Sequence, residues 1–250
     1  MSAPTPNSTT GGIIMVGAHP DDETLAGGTL ATYTRQGLPA TVVCLTRGGL
    51  GHMTMPSEEL KRVRTREAEE SAAVLGAQLL MYDYEDGAVP HSREVAMLLV
   101  DIFRSRRPSV VVTLPEEDKH PDHRNTQRNV LDAFYLSSLP LVQTEHPYYC
   151  VPQVYTCGRE TGEVYIDITE TIDTKIQAAM CHHSQFEGWL VQHRGGVDRA
   201  GITDYREAMR SAAAAIGWRC RVRYAEVFKP MFPAGPRALR LFPESEQRRD

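Results

Sequence analysis

The 250-residue chain is 41% hydrophobic and 24% charged, the balance of an ordinary globular protein with apolar side chains enough for one full core. A formal net charge of −5 offers no basic footprint for nucleic acid or an anionic membrane surface. No stretch approaches the roughly 18 consecutive apolar residues of a spanning helix, the start lacks a signal peptide's regions, and Cys44, Cys150, Cys157, Cys181 and Cys220 form no C-x-x-C pair; these features point to a reduced, cytoplasmic protein.

After a polar stretch over residues 1–12, read as a disordered tail, Ile13 to Gly17 is a short buried-strand run. A polar loop follows, then a helix over Leu25 to Arg35 that Gly37 stops, and a strand over Ala40 to Leu45. Ser57 to Leu75 reads as a long charged helix with Leu60, Val63, Ala68, Ala72 and Leu75 on one broad face and Gly76 at its end. A strand over Gln78 to Tyr82, a helix over Val95 to Arg104 and a β-branched strand over Val110 to Leu114 complete the legible part. Alternation of this kind predicts α/β architecture, a three-layer sandwich with a mostly parallel, Rossmann-like sheet. One domain over residues 13–240 is expected, with 241–250 a polar tail. Arg219, Arg221 and Arg223 alternate as on one face of a strand or a solvated edge.

Ligands of such sheets bind beyond the carboxyl ends of the strands. Two polar loops follow predicted strands there: His19-Pro20-Asp21-Asp22-Glu23, and Asp118-Lys119-His120-Pro121-Asp122-His123. Taken singly, the first is also an ordinary helix N-cap and the second an ordinary solvated turn. Together they supply two imidazoles and a carboxylate, His19, Asp22 and His123, the usual protein set for a catalytic divalent metal with an open position. Asp21 is then placed as general base for a metal-activated water, and His120, held protonated with Asp122 as its partner, as the group serving oxyanion and leaving nitrogen. The same triad type serves non-haem iron oxygenases, which remain a rival class. A dinucleotide module is disfavoured, because Gly17 is followed by Ala-His-Pro-Asp-Asp and not by G-x-G-x-x-G.

Gly17-Ala18-His19-Pro20-Asp21-Asp22-Glu23 with Gly27-Gly28-Thr29, and His120-Pro121-Asp122-His123, resemble the PIG-L/LmbE family of zinc-dependent N-deacetylases. Arg64-x-x-Glu67, Lys175-x-x-Ala178-x-x-x-His182-x-Ser184-Gln185 and Glu226-Val227-Phe228 extend the resemblance over about residues 13 to 230. It implies zinc, with ferrous iron as the alternative ion, on His19, Asp22 and His123; Asp21 as base; His120 at the transition state; and Arg64 at the sugar pocket. The implied substrate is a small N-acetylglucosamine-type conjugate, with a larger-acyl or thiol-conjugate amidase as the second reading, and relatives suggest a homo-oligomer. His182, Ser184 and Gln185 are read as supporting the site. Many members carry Thr-x-Gly-Glu-x-Gly after the second strand, whereas this chain has Thr46-Arg47-Gly48-Gly49-Leu50-Gly51. Arg47 is therefore the second candidate substrate contact, residues 48–56 a candidate lid, and the segment from Glu187 to Tyr205 a candidate determinant of the substrate.

Overall fold

A computed structural model describes residues 11–115, 117–158, 162–189 and 204–232. Residues 1–10 of the expected N-terminal tail, the whole expected C-terminal tail and most of the Glu187 to Tyr205 segment lie outside them. The described strands are β1 Ile13–Gly17, β2 Ala40–Thr46, β3 Gln78–Tyr84, β4 Val110–Thr113, β5 Gln153–Cys157, β6 Val164–Asp167 and β7 Ala225–Pro230. The helices are α1 Gly27–Arg35, α2 Ser57–Leu75, α3 Arg93–Arg106, α4 Pro121–Ser137, α5 Ile172–Met180 and α6 Tyr205–Cys220.

The strands form one sheet in the order β3-β2-β1-β4-β5-β7-β6, parallel from β3 to β5, with β7 antiparallel to both β5 and β6. This is the expected α/β sandwich with a mostly parallel sheet. Period-2 side-chain alternation splits β1 between two cores. Ile13 and Met15 pack with α1, α5 and α6 residues on one face, and Ile14 and Val16 pack with Leu99, Phe103 and Val130 of α3 and α4 on the other. All five β1 residues are buried, which is why the run reads apolar throughout. The chain leaves β1 toward β2 and returns on the opposite side as β4, so the crevice between the carboxyl ends of β1 and β4 is the topological switch point.

Some boundaries differ from expectation. The helix expected from Leu25 begins earlier as a 3-10 turn, Asp22–Ala26, because Asp21 C=O accepts the N–H of Thr24 three residues on; α1 proper starts at Gly27. Helix α3 starts two residues before Val95, where the Ser92 side chain accepts the Val95 N–H. The arginine alternation is not a strand. Arg219 sits in the last turn of α6, Arg221 caps it in the left-handed conformation (φ 63°), and Arg223 precedes β7.

Candidate active site

The loop after β1 is folded around one carboxylate. Asp22 Oδ2 accepts the backbone N–H groups of Ala18 and His19, both at 2.8 Å, which turns Oδ1 toward the second loop. This needs a close approach to β1, and a Cβ on Gly17 would lie 2.7 Å from Asp22 Cβ, so glycine is required there. Thr46 N–H of β2 bonds Ala18 C=O at 2.8 Å and ties the loop to the sheet.

The second loop runs into α4, with His120 as N-cap and Pro121 in the first turn, where its missing N–H costs nothing. His123 Nε2 thereby comes to 3.2 Å from His19 Nδ1 and 3.4 Å from Asp22 Oδ1, while His19 Nδ1 lies 3.8 Å from Asp22 Oδ2. The outer nitrogen of each imidazole is engaged by carboxylate: His19 Nε2 by Asp122 Oδ2 at 3.0 Å and Asp86 Oδ1 at 3.2 Å, His123 Nδ1 by Asp118 Oδ2 at 3.0 Å. Those partners assign the protons to the outer nitrogens, as in carboxylate–histidine–metal arrangements.

With the protons outside, two nitrogen lone pairs and a carboxylate face one another across about 3.2–3.8 Å. That arrangement repels itself unless a cation stands between. Ligand bonds of about 2.0–2.1 Å in tetrahedral geometry give ligand separations of about 3.3 Å, a spacing this cluster approaches. Among the described residues His19, His120 and His123, and His19, Asp86, His120 and Asp122, each bring ligand atoms within 4.8 Å of one another, and Asp22 meets His123 through Oδ1 and His19 through Oδ2. Without a metal ion, a proton serves instead. Burial opposes charge on His19, but Asp122, Asp86 and Asp22 outweigh it and push its pKa up to about 10.

Asp21 occupies a strained backbone at φ 114° that non-glycine residues rarely adopt. Its surroundings over-determine that conformation. Asp21 N–H donates to Glu23 Oε2 at 3.0 Å, its C=O accepts the Thr24 hydroxyl at 2.7 Å, and its Oδ2 pairs with Arg64 Nη2 at 3.2 Å. Arg64 also donates to the carbonyls of Pro20 and Gly48. Burial pushes the Asp21 carboxyl above the usual range, against the pull of Arg64. Glu23 is itself held by the Ser71 hydroxyl and by His182 Nε2, each at 2.6 Å, and Glu67 accepts Ser184 N–H and hydroxyl, both at 2.7 Å.

His19, Asp22, His123, Asp21 and His120 thus come together, the His120 ring standing 4.6 Å from that of His19. Several sequence expectations meet a different geometry. Asp122 serves His19 and the N–H groups of Gly87 and Val89, with no side-chain bond to His120. His120 Nδ1 accepts the Asp122 N–H, and burial together with the neighbouring His19 and His123 lowers its pKa, which opposes an imidazolium there. Arg64, 3% exposed, is committed to Asp21 and two carbonyls and not to the surface of a pocket. Arg47 turns toward Asp83 at the end of β3, with Nε 3.7 Å from Oδ1. In the 48–56 segment Gly48 C=O accepts from Arg64, Leu50 N–H donates to Asp86 and Gly51 C=O accepts from Gln185.

Sequence reasoning missed Asp86, Asp118, Glu23 and Ser71. Asp86 lay in a third polar loop at the same sheet edge, after β3, and Asp118 within the second motif. The buried Asp86 carboxyl is held down at about 2, burial being outweighed by His19 and the Leu50 amide.

A family model described as "PIG-L: GlcNAc-PI de-N-acetylase" matches residues 14–134. A probable N-acetyl-alpha-D-glucosaminyl L-malate deacetylase 2 of Bacillus anthracis is 30% identical over 70% of this chain and 81% of that one. The 4-oxalmesaconate hydratase of Pseudomonas putida is 25% identical over 88% of this chain and 89% of that one. Among solved structures, the N,N'-diacetylchitobiose deacetylase of Pyrococcus horikoshii superposes with a TM-score of 0.74 at 29% identity, covering 88% of this chain and 83% of that one.

Proposed function

The chain belongs to the PIG-L family, and on that premise we propose that it is a metal-dependent hydrolase that removes the N-acetyl group of an N-acetylglucosamine-type amino-sugar conjugate. The observation that carries this reading is the meeting of His19 Nδ1, His123 Nε2 and the Asp22 carboxylate, with Asp21 and His120 beside them. Zinc is the ion proposed, with ferrous iron as the alternative. When bound, the ion supplies Lewis acidity to the acyl oxygen and to the attacking water.

The chain's own groups do the rest. Asp21 Oδ2 is taken by Arg64, which leaves Oδ1 to accept the proton of the attacking water. The Nε2–H of neutral His120 donates a hydrogen bond to the acyl oxygen as negative charge develops on it. Asp21 then returns its proton to the departing nitrogen, and acetate and a free amine leave. Arg64 acts as a positioning residue, holding the base and the β2–α2 loop together.

Acetate release by metal-loaded protein tests the reading across N-acetylglucosamine, chitobiose and N-acetylglucosaminyl inositol and malate conjugates, with and without chelator and with oxygen excluded. Chelator-sensitive, oxygen-independent release supports it. Dependence on oxygen would install the oxygenase, and release of only longer acyl groups the amidase. The hydratase relative adds a further arm, water addition to an unsaturated polycarboxylate, since an acid–base pair beside a metal serves that reaction too. The deacetylases are preferred because their identity to this chain is the higher, 29–30% against 25%. No helix among the described residues is long and apolar enough to cross a membrane. Cytoplasmic location and self-association complete the proposal, to be checked by fractionation and sizing.

A further inference from the structure

We propose that His182 is a positioning residue of the reaction, acting through Glu23 on the backbone of Asp21. The inference rests on the deacetylase reading for what Asp21 does; the linkage itself is geometric. His182 lies two residues beyond α5 and is wholly buried, with Nε2 2.6 Å from Glu23 Oε1. The partner is a carboxylate, so the ring nitrogen is the donor. The Ser71 hydroxyl of α2 donates to the same oxygen at 2.6 Å, so Glu23 is gripped from two sides of the site. Its other oxygen, Oε2, accepts the Asp21 N–H at 3.0 Å. Two hydrogen bonds thus join the end of α5 to the backbone of the residue read as the base.

The φ of 114° at Asp21 is set by how the peptide before it stands against the peptide after it. The following peptide is held at its oxygen by the Thr24 N–H at 3.0 Å and the Thr24 hydroxyl at 2.7 Å. The preceding one is held at both edges, by Arg64 at the Pro20 oxygen and by Glu23 at the Asp21 N–H. A grip on the oxygen alone leaves that plane free to tilt, and a tilt swings the Asp21 carboxylate. Reacting groups must stand within about 3–3.5 Å of each other, so such a swing takes the carboxylate out of reach of the water it serves. Packing alone does not account for an imidazole at position 182. Its Nδ1 is buried with no hydrogen-bond partner among the described residues, and an unpaired buried polar atom costs free energy that a leucine of similar bulk would avoid. What the ring supplies and leucine cannot is the bond from Nε2 to Glu23.

The test compares His182→Leu, which keeps the bulk and loses the donor, with His182→Gln, whose amide N–H can stand where Nε2 stood. Hydrogen exchange at the Asp21 amide, followed by NMR on the zinc-loaded protein without substrate, reads the linkage directly. Exchange there is expected to quicken about tenfold or more in His182→Leu and to return to within about twofold of native in His182→Gln, while the core amides of Val43 and Val111 keep their native rates in both. With the best substrate of the acetate-release panel, kcat is expected to fall about 10–100-fold in His182→Leu at unchanged KM and metal content, and to recover in His182→Gln. Unchanged Asp21 exchange in His182→Leu, or core amides that quicken in step with it, overturns the linkage. Equal kcat losses in the two variants, or a loss matched by loss of metal, overturn the positioning role. If no conjugate on the panel releases acetate, the deacetylase reading fails and the exchange rates alone decide the linkage.

Discussion

Removal of Asp118 and of Asp86 should differ in their effect on metal affinity, although each carboxylate touches the outer nitrogen of a metal-site imidazole. Among the described residues His123 Nδ1 has one carboxylate, Asp118 at 3.0 Å, whereas His19 Nε2 has two, Asp122 at 3.0 Å and Asp86 at 3.2 Å. Loss of an outer partner typically costs about 10–100-fold in metal affinity, about 1.4–2.7 kcal/mol, because the ring loses both its tautomer and its orientation. Asp118→Ala carries that full cost and also frees the His120 N–H that Asp118 Oδ1 accepts. In Asp86→Ala the Asp122 bond persists, anchored by Gly87 and Val89 N–H groups, so the loss should stay below about tenfold. Competition of each variant with a chromophoric chelator for zinc at fixed pH gives the two constants, and far-ultraviolet circular dichroism confirms that both chains fold. Equal losses, or a larger loss for Asp86→Ala, would refute the redundancy argument and with it the assignment of protons to the outer nitrogens.

Asp21→Asn is expected to lower kcat by about 10²–10⁴-fold while metal content per chain is unchanged, since Asp21 is no ligand in this geometry; parallel loss of metal would move Asp21 into the ligand set. Gly17→Ala, whose new Cβ would stand 2.7 Å from Asp22 Cβ, should displace that carboxylate and abolish stoichiometric metal binding, read by metal analysis after gel filtration. Gly76→Ala, at the left-handed end of α2 (φ 67°), is expected to cost about 1–2 kcal/mol. A calorimetric Tm drop of about 2–4 °C per kcal/mol should report it.

The fold was legible because burial and period agree in it. β1 and β4 are buried at every position and read as unbroken apolar runs, and α2 begins and ends at the residues its Pro56, first-turn acids and Gly76 predict. The meeting of His19, Asp22 and His123 was legible because both motifs follow strands that neighbour each other at the switch point. The His orienters were less so. Asp86 and Asp118 act across the fold or from within a loop, and nothing in local sequence says which of several acids will face an imidazole. His120 shows the same limit, since the lowering of its pKa follows from its burial and from the two neighbouring rings, which the local sequence does not show.

The clearest signal lay in α2 and ran against the binary pattern. Its inward stripe holds Leu60, Ala68, Ala72 and Leu75, but also Arg64, Glu67 and Ser71, all buried. In a charged helix composition does not tell which polar residues turn inward. Their spacing does: positions 60, 64, 67, 71 and 75 follow one helical stripe. Apolar residues there would avoid the desolvation of an arginine and a glutamate, each costly to bury unless paired. The chain keeps the polar set, and every member is used: Arg64 on Asp21, Glu67 on Ser184, Ser71 on Glu23. A helix that places its polar side chains where a core would place leucine is one whose inner face supports a reaction site, and here that face steadies the strained backbone of Asp21.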